Sequence, residues 1–120
     1  MLESLRRKII DFRDRRDWEQ FHDPKNLAEA IVIESGELLE NFLWKTCKES
    51  RNLPVERITA IGEEIADIAI FLTLMANDMG LDIETIVNRK LEINEEKYPE
   101  DLSRGRSDKY DRLGERSDQR

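Results

Sequence analysis

The sequence predicts an all-α fold, a four-helix core that is completed by the association of chains. Apolar residues recur at intervals of three and four along four segments, as they do on one face of a helix. The sequence has neither alternating apolar and polar runs nor the Asn-Gly and Asp-Gly turns of β-hairpins. Helix-stop signals separate the segments at Asp23-Pro24, Pro54, Gly80 and Pro99.

The first two predicted helices lie on either side of the Asp23-Pro24 break, because the residue before a proline avoids helical angles. The apolar face of the first consists of Leu2, Leu5, Ile9 and Phe12. The second is predicted to begin with Asn26 as its N-cap and Glu29 completing a capping box. It is expected to run to about Lys45–Cys47.

The third predicted helix is the most apolar segment of the chain. It has Pro54 in its first turn, and its apolar residues are Val55, Ile58, Ile61, Ile65, Ile68, Leu72 and Met75. A helix that is apolar nearly all round is expected to be buried. A fourth helix is predicted between Asp82 and Pro99. Since a chain of this size buries little surface alone, we expect a dimer or a higher homo-oligomer.

Composition limits the kind of protein this is. The 120 residues are 39% charged and 38% hydrophobic, which predicts one domain with a narrow core. We expect a helical domain over residues 1–103 and a polar tail over residues 104–120. No apolar run is long enough for a transmembrane helix, and the N-terminus does not resemble a secretory signal. A single cysteine, Cys47, excludes an internal disulfide, so a cytoplasmic location is expected.

Two pairs of carboxylates are spaced so that each pair shares one helix face. Glu34 and Glu37 are three residues apart in the second predicted helix, and Glu64 and Asp67 repeat that spacing in the third. Like charges at this spacing repel each other unless a cation lies between them. Asp67 interrupts an apolar stretch, so it is expected to be buried. If the helices are antiparallel, four carboxylates surround a site for Mg²⁺ or Mn²⁺.

The acid pairs have other interpretations. Acid pairs also occur on solvated helix surfaces, but two pairs flanked by apolar residues favour the metal site. A di-iron centre requires Glu-x-x-His motifs, and the single histidine, His22, is not in one. Gly36 is costly inside a helix, and the close approach of another helix or a ligand would explain it. The net charge of −7 argues against binding to nucleic acid.

The paired acids and their flanking blocks resemble a known family. Glu34-x-x-Glu37, 26 intervening residues and Glu64-x-x-Asp67 resemble the motif of the MazG-type all-α nucleoside triphosphate pyrophosphohydrolases. The flanking blocks resemble the dCTP pyrophosphatase branch of that superfamily. They are Arg16-Asp17-Trp18-Glu19-Gln20-Phe21-His22 before Pro24 and Asn26-Leu27, Phe42-x-Trp44-Lys45, Lys90-x-x-x-Asn94-x-x-Lys97-Tyr98-Pro99, Leu102-Ser103-Arg104-Gly105, and Lys109-Tyr110. The resemblance covers roughly residues 12–110.

The resemblance implies a helical dimer or tetramer that uses Mg²⁺ to hydrolyse a nucleoside triphosphate to the monophosphate and pyrophosphate. The implied metal ligands are Glu34, Glu37, Glu64 and Asp67, of which Glu37 and Glu64 are assigned the catalytic role. The residues implied to meet the phosphates or sugar are Lys90, Asn94 and Lys97. The residues implied to lie near the base are Trp18, His22 and Trp44. No nucleic acid or membrane partner is expected.

The sequence departs from that branch at Phe71, where the resemblance leads us to expect tyrosine. The missing hydroxyl leaves sugar and base preference open, with dCTP or a modified cytosine nucleotide as candidate substrates. Two alternatives remain open from the sequence. One is a non-catalytic helical module that senses nucleotides or binds proteins. The other is a related dUTPase-like hydrolase that differs only in substrate and products.

Overall fold

A computed structural model of the chain describes residues 3–107, which contain helices and no strand. The helices are α1 (Glu3–Asp14), a 3₁₀ turn (Glu19–Phe21), α2 (Pro24–Glu40), α3 (Cys47–Ser50), α4 (Val55–Asp78), α5 (Ile83–Lys97) and α6 (Glu100–Ser103). The all-α prediction is therefore confirmed. The chain divides into two compact units, Met1–Leu81 and Asp82–Arg120.

In the first unit, α4 packs against both α1 and α2. Arg13 of α1 is only 3% exposed, and its Nη1 donates a hydrogen bond of 2.6 Å to Oδ2 of Asp78 at the end of α4. One face of α1 is thus held against α4 by an ion pair whose arginine is buried, and the apolar Ile10 on α1 is buried as well. Removing one partner of such a pair leaves an uncompensated charge, so the contact fixes where α1 lies.

Helix α2 differs from the prediction at both ends. Its N-cap is Asp23, whose side chain accepts a hydrogen bond from the Asn26 backbone N–H at 2.9 Å, and Pro24 occupies the first turn. The predicted cap was Asn26, three residues later. The helix ends at Glu40, and Asn41 is its C-cap. It stops short of the predicted 45–47 because the Asn41 side chain binds the last carbonyls of α2 and the chain turns away.

The segment between α2 and α4 was expected to be a loop, and it contains the short helix α3. Thr46 caps this helix, and Glu49 completes a capping box. The start of α4 lies within one residue of the prediction, since Pro54, predicted in the first turn, is the N-cap. Helix α6 was not predicted. Helix α4 begins directly after Pro54, and Gly80, with a φ of +70°, follows its end. Since Gly80 adopts a left-handed conformation that other residues avoid, its role as a stop signal has a clear physical cause.

Few side chains of the described residues are fully buried. The buried apolar residues are Ile10, Leu27, Leu74 and Ala76. Several large apolar residues of α4 are instead exposed in the single chain, contrary to the expectation that this helix is buried all round. Ile58, Ile65 and Leu72 are 56%, 55% and 44% exposed and recur every seven residues. We refer to these three residues as the α4 stripe.

The second unit contains α5 and α6. Asp82 caps α5, since its Oδ2 accepts a hydrogen bond from the Thr85 backbone N–H at 3.0 Å, as predicted. Pro99 follows the end of α5, also as predicted. Most of the predicted polar tail, including Lys109 and Tyr110, lies outside the described residues. Between residues 3 and 107 no helix has the length and apolar character needed to cross a bilayer.

Candidate metal centre

Three of the four predicted metal ligands meet at the packed faces of α2 and α4. Glu34 and Glu37 lie one turn apart on α2, and Glu64 lies on α4. Each offers one carboxylate oxygen, and the three oxygens lie within 4.8 Å of one another. The i, i+3 spacing places both α2 acids on one face, and helix packing brings the α4 acid to them.

The close carboxylates of this cluster repel one another when they are ionised. Oε2 of Glu34 and Oε2 of Glu64 are buried, and neither has a hydrogen-bond donor as a partner. Two carboxyl groups can form a hydrogen bond with each other only if one of them is protonated. A hydrogen bond to Glu64, then burial, then the charges of Glu37, Glu64 and Asp67 raise the pKa of Glu34 from 4.5 to about 7. Proteins often place a carboxyl with such a pKa at a functional site.

No basic side chain neutralises these acids. Among residues 3–107, no lysine, arginine or histidine forms an ion pair with any of the three carboxylates. Two oxygens on opposite sides of one Mg²⁺ are about 4.2 Å apart, so the observed spacing suits a single ion after a small contraction. An all-oxygen set also matches the preference of hard cations. The arrangement therefore fits a divalent metal.

Asp67, the fourth predicted ligand, does not belong to the group of three. Its side chain is exposed, which contradicts the expectation that it is buried in an apolar stretch. The reason is that the apolar residues around it, such as Ile65, are themselves exposed in the single chain. Its charge still contributes to the raised pKa of Glu34, so Asp67 lies near the cluster.

The sequence profile of the MazG-like family matches residues 30–113, which includes all four acids. The chain belongs to the MazG-like family. The predicted family resemblance is thus confirmed.

Proteins similar to this MazG-like chain are named as pyrophosphatases. It is 44% identical to human dCTP pyrophosphatase 1 over 115 residues, which are 93% of this chain and 67% of that protein. It is 41% identical to the mouse protein of the same name over 111 residues, 91% of this chain and 65% of the relative. The chain therefore spans about two thirds of the length of these relatives. A crystal structure of an Archaeoglobus fulgidus pyrophosphatase superimposes with a TM-score of 0.77 at 41% identity, covering 81% of this chain and 91% of that one.

Of the residues predicted to lie near the base, His22 and Trp18 adjoin the 3₁₀ turn of the MazG-like chain. The His22 ring meets the Phe71 ring edge to face, with centroids 6.3 Å apart, and its Nδ1 is buried without a hydrogen-bond partner. The Trp18 ring packs in the same manner on Phe12, at 5.9 Å. The structure thus places Phe71, the position where the sequence departs from the dCTP pyrophosphatase branch, directly beside a predicted binding residue.

Trp44 occupies an unusual position for a tryptophan. It lies in the turn after α2, it is 99% exposed, and its φ is +66°. A bulky residue in this conformation is strained, and so large an exposed ring gives up the burial that normally stabilises tryptophan. Trp44 is therefore not part of the core of the single chain. Its assignment to base binding stays a prediction.

The predicted phosphate or sugar contacts lie on α5, in the second unit. Lys90 is exposed, whereas Asn94 and Lys97 are half-buried. Their spacings of four and three residues place them on one face of the helix, as predicted. Their role toward a ligand stays a prediction.

Two polar residues beside the carboxylates were not found from the sequence. Asn41 is 8% exposed and accepts a hydrogen bond from Arg57 at 3.3 Å. A signal was present, because Asn41 continues the face of Glu34 and Glu37 by one more turn. Arg57 precedes Glu64 by the same seven residues that separate Glu34 from Asn41. Neither residue belongs to a motif that the sequence analysis considered.

Proposed function

We propose that this protein is an Mg²⁺-dependent nucleoside triphosphate pyrophosphohydrolase, which converts a nucleoside triphosphate to the monophosphate and pyrophosphate. The observation that carries the proposal is the cluster of Glu34, Glu37 and Glu64, whose oxygens lie within 4.8 Å of one another and which has no basic partner among residues 3–107. Family membership and the names of the mammalian relatives support the same activity.

The metal would be held by the three clustered carboxylates, with Asp67 as a fourth ligand close by. When bound, Mg²⁺ supplies charge neutralisation for the phosphates, an oriented water and a lowered pKa of that water. We assign the catalytic role to Glu37 and Glu64 within this set. The carboxylates of the chain would fix the position of the ion.

Substrate binding needs positive charge, because a triphosphate carries about four negative charges and the protein has a net charge of −7. We assign phosphate or sugar contacts to Lys90, Asn94 and Lys97, since a lysine ammonium is a point charge suited to phosphate. No nucleic acid partner is proposed, in keeping with the acidic charge.

The base is proposed to be recognised by Trp18, His22 and Trp44. An exposed tryptophan ring such as that of Trp44 can stack on any base, because every base has a π-face. The relatives named dCTP pyrophosphatase make dCTP or a modified cytosine nucleotide the first substrates to examine. Removal of surplus or non-canonical nucleotides would be the resulting role, and a cytoplasmic location stays a prediction.

A product assay tests the proposed activity. We expect the purified protein with Mg²⁺ to convert at least one member of a panel of ribo- and deoxynucleoside triphosphates to its monophosphate, with one pyrophosphate per turnover. EDTA is expected to stop the reaction. Chromatography of the nucleotides and an assay of pyrophosphate provide the measurement. Nucleotide binding without turnover would favour the sensing module instead, and turnover of dUTP alone would favour the dUTPase-like alternative.

A second copy of the chain is proposed to cover the α4 stripe. Ile58, Ile65 and Leu72 are about half exposed, and their seven-residue repeat is the pattern by which two helices pack along a seam. Exposed apolar rows of this kind mark interaction sites more often than free surface. A homodimer, or a tetramer built from it, accounts for the stripe.

Ile65→Lys tests this assembly. Burying an isoleucine contributes about 1.5–3 kcal/mol, and each dimer loses two, so we expect the dissociation constant to rise roughly 100-fold or more. The variant should elute as a monomer in size-exclusion chromatography with light scattering, at a concentration where the wild type is oligomeric. Thr59→Lys, on an exposed polar position of the same helix, is the control. An Ile65→Lys protein that keeps the wild-type mass would place the interface elsewhere.

A further inference from the structure

A polar contact between the buried Asn41 and the exposed Arg57 joins the end of α2 to the start of α4. Oδ1 of Asn41 accepts a hydrogen bond from Nη1 of Arg57 at 3.3 Å. Nδ2 of the same asparagine donates to the backbone carbonyls of Glu37 and Leu38, at 3.2 and 3.3 Å. One side chain therefore holds the peptide group of a clustered glutamate and, through Arg57, the neighbouring helix. We refer to Asn41 and Arg57 as the clasp.

The clasp repeats the register of the carboxylates. Asn41 lies seven residues after Glu34 on α2, and Arg57 lies seven residues before Glu64 on α4. Seven residues are almost two turns of helix, so each clasp residue lies on the same face as its glutamate, about 10.5 Å along the axis. The opposite directions of the two steps show that α2 and α4 are antiparallel. If α2 slid along α4, both the contact between Asn41 and Arg57 and the contact between Glu34 and Glu64 would be broken.

The positive charge of Arg57 is unfavourable for its own helix, α4, and favourable for the neighbouring helix, α2. Arg57 is the third residue of α4, where the helix dipole disfavours a positive charge. It bonds to the residue that caps the C-terminus of α2, where a positive charge is favoured. When both are ionised, as metal binding requires, the carboxylates of Glu34 and Glu64 repel each other across the two helices. A cross-helix bond two turns away opposes that repulsion.

We infer that Asn41 and Arg57 are positioning residues, which hold α2 and α4 in the register that brings the carboxylates to metal-binding distance. The inference rests on the proposed metal-dependent function. Neither residue contacts the metal or the substrate in this assignment. Their effect is to prepare the site before the ion binds, so that no binding energy is spent on moving the helices.

Asn41→Ala is the first test, with Mn²⁺ as the probe. We expect the variant to bind Mn²⁺ about 10-fold more weakly, the lower end of what loss of a supporting partner does to a metal site. Calorimetry and the Mn²⁺ electron paramagnetic resonance signal measure this without turnover. In the hydrolysis assay, the Mg²⁺ concentration for half-maximal rate should rise, whereas kcat at saturating Mg²⁺ should stay near the wild-type value. A merely destabilised protein would not recover in this way.

Asn52→Ala is the matched control. The Asn52 side chain also donates to the carbonyl four residues earlier, that of Lys48 at 3.1 Å, but it does so after α3 and away from the α2–α4 contact. This variant removes the same kind of bond and should bind Mn²⁺ as the wild type does. Equal weakening by Asn41→Ala and Asn52→Ala would overturn the inference, because the effect would then not depend on register.

Arg57→Met provides a second variant in case Asn41→Ala does not fold, and it keeps most of the aliphatic stem. It should also weaken Mn²⁺ binding, and the double variant should bind no more weakly than Asn41→Ala, since that substitution already removes the contact to Arg57. Arg57→Lys, which keeps a charge and a donor, should restore part of the affinity. If Arg57→Met bound Mn²⁺ with the wild-type affinity, the positioning role of the clasp would be overturned, but the metal centre would not. A wild-type protein that fails to bind Mn²⁺ would overturn both the metal centre and the clasp.

Discussion

Glu64→Gln is expected to lower kcat/KM by about 10³-fold while the helices stay folded. Stabilisation by a catalytic metal is worth several kcal/mol, and each 1.4 kcal/mol corresponds to a factor of ten. The amide cannot replace a charged ligand at the position where Glu64 meets Glu34 and Glu37. The Mn²⁺ affinity should fall together with the activity, which would link the two losses to one site.

The same substitution is expected to leave the metal-free protein as stable as the wild type, or more stable. The glutamine amide can donate a hydrogen bond to Glu34, whose Oε2 has no partner in the wild type. Thermal unfolding in EDTA measures this. Glu56→Gln, at an exposed position on the same helix, is the control and should keep full activity. Full activity of Glu64→Gln would refute the assignment of the metal centre.

The affinity for Mn²⁺ is expected to rise roughly 30-fold between about pH 5.5 and pH 8. Metal binding requires ionised carboxylates, and the pKa of Glu34 is raised to about 7 by its hydrogen bond to Glu64, by burial and by neighbouring charges. Below that pKa one proton must leave for each ion bound, which gives a factor of ten per pH unit. Titration calorimetry over this range provides the measurement.

The stability of the metal-free protein should fall as the pH rises, whereas the Mn²⁺ affinity should increase. The pKa of Glu34 is raised on folding from 4.5 to about 7, so the folded chain holds more protons than the unfolded chain between these values. The contribution of Glu34 to stability is therefore full below about pH 4.5 and is lost as the pH rises through about 7. Glu34→Gln should remove this slope, while Glu29→Gln, on an exposed part of α2, should keep it. A pH-independent Mn²⁺ affinity in the wild type would contradict the prediction.

The sequence was sufficient for the four long helices and for most of the acidic cluster, but not for the short helices α3 and α6. Spacing alone placed Glu34 and Glu37 on one face and predicted that Glu64 would meet them, since helical geometry is fixed by residue count. The predicted helix ends were wrong where a single side chain determines at which residue the helix begins or ends. Asp23 caps α2 in preference to Asn26, and Asn41 ends the helix early by binding its carbonyls.

Other features depend on surroundings that one chain does not define. Asp67 was expected to be buried, but α4 is apolar on faces that its own chain leaves open, as at Ile65. A pattern of apolar residues cannot tell burial within a chain from burial between chains. Gly36 was expected to mark a close approach, but a Cβ placed there would lie more than 4 Å from every described side chain and from the backbone of the other described elements. The clasp was missed because its partners are sixteen residues apart in the sequence.

The seven-residue period of the α4 stripe has a consequence for the handedness of the proposed assembly. An α-helix has 3.6 residues per turn, so Ile58, Ile65 and Leu72 drift around its axis by about 20° at each repeat. A straight partner helix would leave this row after one or two repeats. To follow it, the two helices must wind around each other as a left-handed supercoil, crossing at about 20°.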